Sequence, residues 1–264
     1  MADAQHRTEG PLLVLSEVSV RFGGIQAVRN ISISVDKREI VAVIGQNGAG
    51  KSTLLNAICG LVPAQGSIRM RGQELAKKKP EKIILTGIAR SFQDPQLIES
   101  ATVLENILLG LHSARLYGPI EQVLRRGRVR RIETESAARA VEIAQRMGLV
   151  DELERPVSEL TYGARKMVDI ARAMIGMPDL LILDEPSSGL DVKEQLLVTD
   201  VLQRICQQHE LGVLMVEHHM DVVDRLAQRV IELQAGELKG ETRGSRQLPE
   251  DVADKAAARD EVNG

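Results

Sequence analysis

The stretch Val41–Asn56 constrains the chain more than any other. It passes from an apolar, β-branched run through a glycine-rich turn into helix-favouring residues, so it reads as strand, loop, helix. Within it Gly45, Gly50, Lys51 and Ser52 fit the spacing Gly-x-x-x-x-Gly-Lys-Ser. The backbone N–H groups of such a loop face inward and cradle an anion at the start of the following helix. Glycine is needed because a Cβ would block that approach. A nucleoside triphosphate is the expected ligand, and the strand–loop–helix order makes a chance glycine turn the weaker explanation.

The remaining chain must supply a body for this loop. Its 264 residues suffice for one large α/β domain with an insertion better than for two full domains. A net charge of −3 gives no global attraction to nucleic acid, and no nucleic-acid partner is expected. Cys59 and Cys206 make neither a disulfide framework nor a metal pattern, which suits core or boundary thiols of a reducing compartment. The first ten residues are polar, and no run approaches the roughly 18 apolar residues of a spanning helix. A chain neither secreted nor integral is expected.

Segments 12–20, 29–36 and 39–45 read as short strands. Between the first two, Phe22 precedes Gly23 and Gly24, where it could stack on a purine or fill the core. Gly66–Met70 reads as a strand, Lys77–Pro80 as a solvated turn before a short helix, and Ile88–Phe92 as a buried strand ending at Gln93. A glutamine there can offer its carbonyl oxygen to a metal and its amide to water, or be a plain loop residue.

From Thr102 to Met147 helical spacing takes over, with Ala137, Val141, Ala144 and Met147 on one face. An inserted helical subdomain over about 94–165 is expected. Its Arg125–Arg131 cluster reads as a solvated connection in preference to a lipid-phosphate or acidic-partner contact. Thr161 stands where an N-cap would, before a helix with Met167, Ile170, Ala171 and Met174 on one face. That helix start is either an ordinary cap or a second anion site.

Leu180–Glu185 is an apolar run ending in two carboxylates, as expected of a buried parallel strand whose C-terminal end meets a ligand. Strand alternation sends Asp184 and Glu185 to opposite sides, so that one can approach a metal while the other polarises a nucleophile. Ser188–Asp191 leads into a helix over 192–209. Gly212–Val216 is the next buried strand, and either His218 or His219 could face inward from its end. A short helix near 220–226, a strand 229–234, a turn at Gly236 and a polar tail beyond about Gly240 complete the expected 12–240 domain, with 1–11 as an extension.

In this order the pieces resemble the ATPase subunit of an ATP-binding-cassette transporter, over about Leu12–Gly240. Gly45–Ser52 is similar to the Walker A loop, Leu180–Asp184 to the Walker B strand and Glu185 to the catalytic carboxylate. Phe22 is similar to the adenine-stacking aromatic, Gln93 to the Q-loop glutamine, Ser188–Asp191 to the D-loop and His218 to the switch histidine. Leu160–Ala164 holds the signature position, but Thr161, Tyr162 and Ala164 replace three residues of Leu-Ser-Gly-Gly-Gln. Tyr162, with Arg21–Gly24, Ala89–Gln93 and Glu217–His218, resembles the branch serving importers of branched-chain and related hydrophobic amino acids, the larger of that system's two ATPases.

The resemblance implies an α/β P-loop NTPase fold of the RecA-like type, with a mostly parallel core, an N-terminal antiparallel β subdomain and the helical insertion. It implies ATP and Mg²⁺ as cofactors. Glu185, His218 and Lys51 would be catalytic, and Ser52, Gln93 and Asp184 would serve the metal. Nucleotide contacts would come from Phe22, Gly45, Asn47, Gly48, Gly50, Lys51, Ser52, Thr53 and Asp191, with Thr161 and Gly163 supplied by a second ATPase subunit. Permease subunits and, indirectly, an extracytoplasmic solute-binding protein are the implied partners, and the cytoplasmic face of the membrane is the implied location. A soluble cassette acting on ribosomes or nucleic acid, or a non-catalytic nucleotide-binding module, are the alternatives.

Overall fold

The computed structural model describes residues 10–111, 126–208 and 210–243, with the side chains of 126–133 and 207–208 outside the description. Ten strands form two sheets among these residues. The smaller is antiparallel, in the order β2 (Ile25–Val35), β1 (Leu13–Phe22), β4 (Gln65–Met70) and β5 (Gln73–Glu74). The larger has the order β10 (Glu237–Arg243), β9 (Arg229–Gln234), β3 (Ile40–Ile44), β8 (Gly212–Val216), β7 (Leu180–Asp184) and β6 (Ile88–Ser91). Its strands run parallel except β10, which returns antiparallel beside β9.

The parallel strands are apolar on both faces, and alternation assigns each face its own core. Leu180 and Ile182 of β7, Leu214 and Val216 of β8, and Val41 and Val43 of β3 pack with the antiparallel sheet and with helix α1 (Lys51–Ile58). Leu181 and Leu183, Val213 and Met215, and Ile40 and Ala42 pack on the opposite face. There they meet helices α3 (Val103–Leu109), α4 (Arg126–Met147), α5 (Tyr162–Met174), α6 (Val192–Gln208) and α7 (Met220–Leu226). A further short helix, α2 (Pro80–Ile84), precedes β6. No helix among the described residues is long and apolar enough to cross a membrane.

Several local expectations shift. Strand β2 begins at Ile25, so Gly23 and Gly24 are the turn of a tight hairpin, with Gly23 at φ +56°. On α4 the buried stripe is Ala140, Ala144 and Met147, while Val141 is exposed. The helix is rotated from the expected face because small residues let it lie close on α5. The expected connection at Arg125–Arg131 is helical from Arg126 onward; Arg125 and the cluster's side chains lie outside the described residues. At the other end β10 pairs through Arg243 with Arg229, past the point where a polar tail was expected. Backbone pairing to an edge strand needs no apolar side chains, so composition alone missed it. The rest of that segment, and the extension through residue 9, lie outside the described residues.

Candidate functional site

Four neighbouring parallel strands, β3, β8, β7 and β6, end together, which is where open α/β sheets bind ligands. The register fixes the alignment. Ser91 is level with Leu183, Asp184 with Val216, and Val43 with Val216. Beyond the ladder, Glu185 N donates to Val216 O at 2.9 Å and Glu217 N to Val43 O at 3.3 Å.

After β3 the phosphate loop turns on Gly45, Gly48 and Gly50, at φ +149°, +81° and +99°. A Cβ on Gly45 would fall 2.2 Å from the carbonyl oxygen of Leu233, so packing against β9 demands glycine as well as the turn does. Gly50 caps α1 with no side-chain hydrogen bond, which leaves the helix's first N–H groups facing the loop. Asn47, Gly48 and Ser52 are exposed at its mouth and Thr53 is half-buried. Lys51 is buried, and its Nζ donates to the carbonyl oxygens of Gly45 at 2.7 Å and Gln46 at 3.0 Å. Burial pulls the ammonium pKa below its ordinary value, against the opposing pull of the Glu185 and Asp184 carboxylates.

Asp184 and Glu185 are held by opposite layers. Asp184 is buried in the phase of Leu180 and Ile182, and its Oδ2 pairs with Arg90 Nη2 at 2.8 Å. Arg90 in turn donates to Asn56 Oδ1 of α1 at 2.6 Å. Asp184 Oδ1 is buried with no hydrogen-bond partner among the described residues. Such an oxygen is costly unless a ligand shell takes it up, which fits a hydrated cation at the end of β7. No cluster of three or more His, Cys, Asp or Glu residues gathers around a metal position among the described residues. The Ser52 hydroxyl, the Gln93 amide oxygen and the Asp184 carboxylate expected from the sequence would suit a hard cation that keeps its waters and uses phosphate oxygens.

Glu185 lies just past the strand, at φ +52°. A left-handed turn, in place of simple alternation, carries its side chain away from Asp184. One carboxylate oxygen accepts from Gln93 Nε2 at 3.0 Å and the other from His218 Nε2 at 2.6 Å. His218 is thus the inward histidine. Its neighbour His219 sits on Ser187 Oγ at 2.8 Å. The buried Glu217 fixes both: it accepts the main-chain N–H of His218 at 2.7 Å and of His219 at 3.2 Å, together with the N–H and hydroxyl of Ser187.

The other expected residues stand apart from this centre. Phe22 is 49% exposed at the β1–β2 hairpin, which rules out the core reading. Thr161 caps α5, its Oγ1 accepting from Ala164 N at 3.2 Å. Gly163 makes its close approach to Glu194 of the same chain, whose carboxylate oxygen would lie 2.3 Å from an added Cβ. Asp191 forms a cap with Glu194 at the start of α6: its Oδ1 accepts from Glu194 N at 2.9 Å, and Glu194 Oε2 accepts from Asp191 N at 3.1 Å. A helix cap is what the structure gives Asp191. The buried strand expected through Phe92 stops at Ser91, and Phe92 is 41% exposed beneath the Arg90 guanidinium, 5.0 Å from the ring centre.

Arg90 and Glu217 entered the sequence reading only as parts of branch motifs, with no role of their own, and Ser187 and two charged residues of α5, Lys166 and Asp169, were not singled out. Asp169 accepts from Ser91 Oγ at 2.6 Å and Phe92 N at 3.1 Å, and also holds Arg172, tying α5 to the end of β6. Their signal was present as charges at buried spacing: Lys166 and Asp169 interleave with the apolar stripe that buries α5.

A parallel sheet ending in a phosphate loop, with an Asp–Glu pair two strands away, defines the P-loop nucleotide-hydrolysing class. The chain belongs to the ABC transporter family, whose model matches residues 28–188. It is 35% identical over 227 residues to the high-affinity branched-chain amino acid transport ATP-binding protein LivG of Salmonella typhimurium, covering 86% of this chain and 89% of that one. BraF of Pseudomonas aeruginosa, with the corresponding description, is 31% identical over the same share of the chains. Among solved structures, a nucleotide-free ATP-binding cassette from an ABC transporter superposes with a TM-score of 0.78 at 27% identity, covering 94% of this chain and 96% of that one.

Proposed function

We propose that this chain hydrolyses ATP as one of a head-to-tail pair of ATPase subunits and so powers a membrane importer. The observation that carries the reading is Glu185, held at the end of β7 by Gln93 on one oxygen and His218 on the other. In this reading Lys51 neutralises the β- and γ-phosphates and the open start of α1 cradles them. Ser52, Gln93 and Asp184 would hold Mg²⁺, which would offset charge on the phosphate oxygens when bound. Glu185 orients a water and takes its proton, and His218 steadies the γ-phosphate from the neighbouring strand. Thr161 and Gly163 face the nucleotide of the second subunit. The names of LivG and BraF support branched-chain or related hydrophobic amino acids as the solute.

In this reading permeases supply the path and dock at the end of β6, around Phe92, the residue before Gln93. A hollow of about 350 Å³ lies there, lined by Leu61, Ile84, Ala89, Phe92, Leu109 and Ala173 among others. Leu61, Ile84 and Phe92 are each exposed, so the patch suits an apolar segment of a membrane subunit. In this reading the chain works at the cytoplasmic face of the membrane, as a peripheral subunit.

The test is Glu185→Gln, which keeps shape and removes the base. It is expected to lower kcat by about 10²-fold or more while nucleotide still binds. Phosphate release at the wild-type rate would remove Glu185 from the chemistry.

A further inference from the structure

Lys166 is buried in α5, and its Nζ donates to the main-chain carbonyl oxygen of Glu185 at 2.6 Å. Among the described residues no carboxylate lies within ion-pair distance of it. Burial pulls the ammonium pKa down, against the opposing pull of the Glu217, Glu185, Asp94 and Asp169 carboxylates, and a methionine would fill the same space without the cost of burying a charge. The carbonyl it holds belongs to a non-glycine residue in the left-handed region, a conformation that persists only where its surroundings enforce it.

The same helix reaches the side chain of Glu185 by a second route. Tyr162 lies one turn before Lys166, with the ammonium 5.6 Å from its ring centre. Its hydroxyl donates to Asp94 Oδ1 at 3.2 Å and lies 3.4 Å from Gln93 O. Gln93 in turn donates to a Glu185 carboxylate oxygen. The start of α5 therefore grips Glu185 at its peptide through Lys166 and at its carboxylate through Tyr162 and Gln93. Gly163 lies between those two grips and Thr161 just before the first, and both are the residues assigned above to the second subunit's nucleotide.

We propose that Lys166 is a positioning residue for Glu185: it holds the Glu185 peptide in its left-handed turn, so that the seating of α5 sets the aim of the carboxylate. The inference rests on Glu185 being the base. It makes the helix that serves one nucleotide the support of the base that serves the other, with no contact between Lys166 and ATP.

The experiment compares Lys166→Met and Lys166→Arg in the full chain, alone and combined with Glu185→Gln. Steady-state ATP hydrolysis, nucleotide Kd and thermal unfolding are read for each. Lys166→Met is expected to lower kcat by about 10-fold or more, since a small misplacement of a catalytic group costs up to about 10²-fold. KM and Kd are expected to stay within about twofold, because no nucleotide contact is lost. Lys166→Arg keeps a buried donor and is expected to recover most of the rate. In the Glu185→Gln background Lys166→Met is expected to cost less than about twofold more, because a residue acting through Glu185 has nothing left to position.

An unchanged kcat for Lys166→Met beside an inactive Glu185→Gln overturns the positioning role. So does a full additive loss in the double variant, or a rise in Kd that accounts for the lost rate. Normal hydrolysis by Glu185→Gln alone overturns the base assignment instead. Should Lys166→Met not fold, Lys166→Gln is put through the same comparisons, its amide being too short to reach the carbonyl, and the same outcomes decide.

Discussion

Phe22 shows how a side chain's surroundings separate two readings of one letter. Its exposure beside the glycine turn leaves a flat ring available to a base and gives it no packing duty to lose. Phe22→Ala is expected to weaken nucleotide binding by about 1–3 kcal/mol while leaving the unfolding temperature in place. Titration with a fluorescent nucleotide measures this, and an unchanged Kd would leave Phe22 as a surface residue. Lys51, Asp184 and Glu185 could be picked out as candidates because they stand in local motifs next to strand ends, whereas Gln93 and His218 were singled out only through the family resemblance. Arg90 and Lys166 were not legible, because their partners are Asp184, 94 positions away, and the Glu185 peptide, 19 positions away. No local pattern records a pairing made by the fold.

Short strands need pins, and Glu74 is the pin of the two-residue strand β5. Burial pushes its carboxyl up, but the Ser67 hydroxyl, the Ala76 and Ile68 amides and Arg69 together hold it down at about 2, from an ordinary 4.5. A depressed carboxylate pKa adds stability that is fully present above the unfolded value and is lost as pH falls through the folded one. The window here runs from pH 4.5 down to about 2. Glu74→Gln is expected to lower the unfolding temperature by about 2–4 °C at pH 7. The gap from wild type should close as pH falls through that window. A gap constant with pH in thermal scans would show that packing, not charge, pins the hairpin. Strands and helices were largely legible, because β-branched runs and apolar spacing are local. The rotation of α4 and the extent of β10 were not, since small residues against a neighbouring helix set the first and backbone pairing set the second.

Thr161 and Gly163 bond and pack within their own helix and against Glu194, not against the loop that ends β3. On the head-to-tail reading proposed above, a complete site requires two chains. Turnover per chain is expected to rise with chain concentration until pairing saturates, and Glu185→Gln with ATP is expected to sediment as a dimer. A rate per chain that is constant on dilution, with only monomer in the centrifuge, would refute the shared site. Within one chain the sheet acts as a partition. Asp184 is moored through Arg90 and Asn56 to the layer beneath it, and Glu185 through Lys166 and Gln93 to the helices above. Adjacent residues are thus fastened to two different bodies, and the single peptide link between them spans the seam. A shift of one layer over the other has no linkage to pass through before it reaches the reacting groups. On the proposed reading, a displacement of the helical layer would bear directly on the link between the two carboxylates.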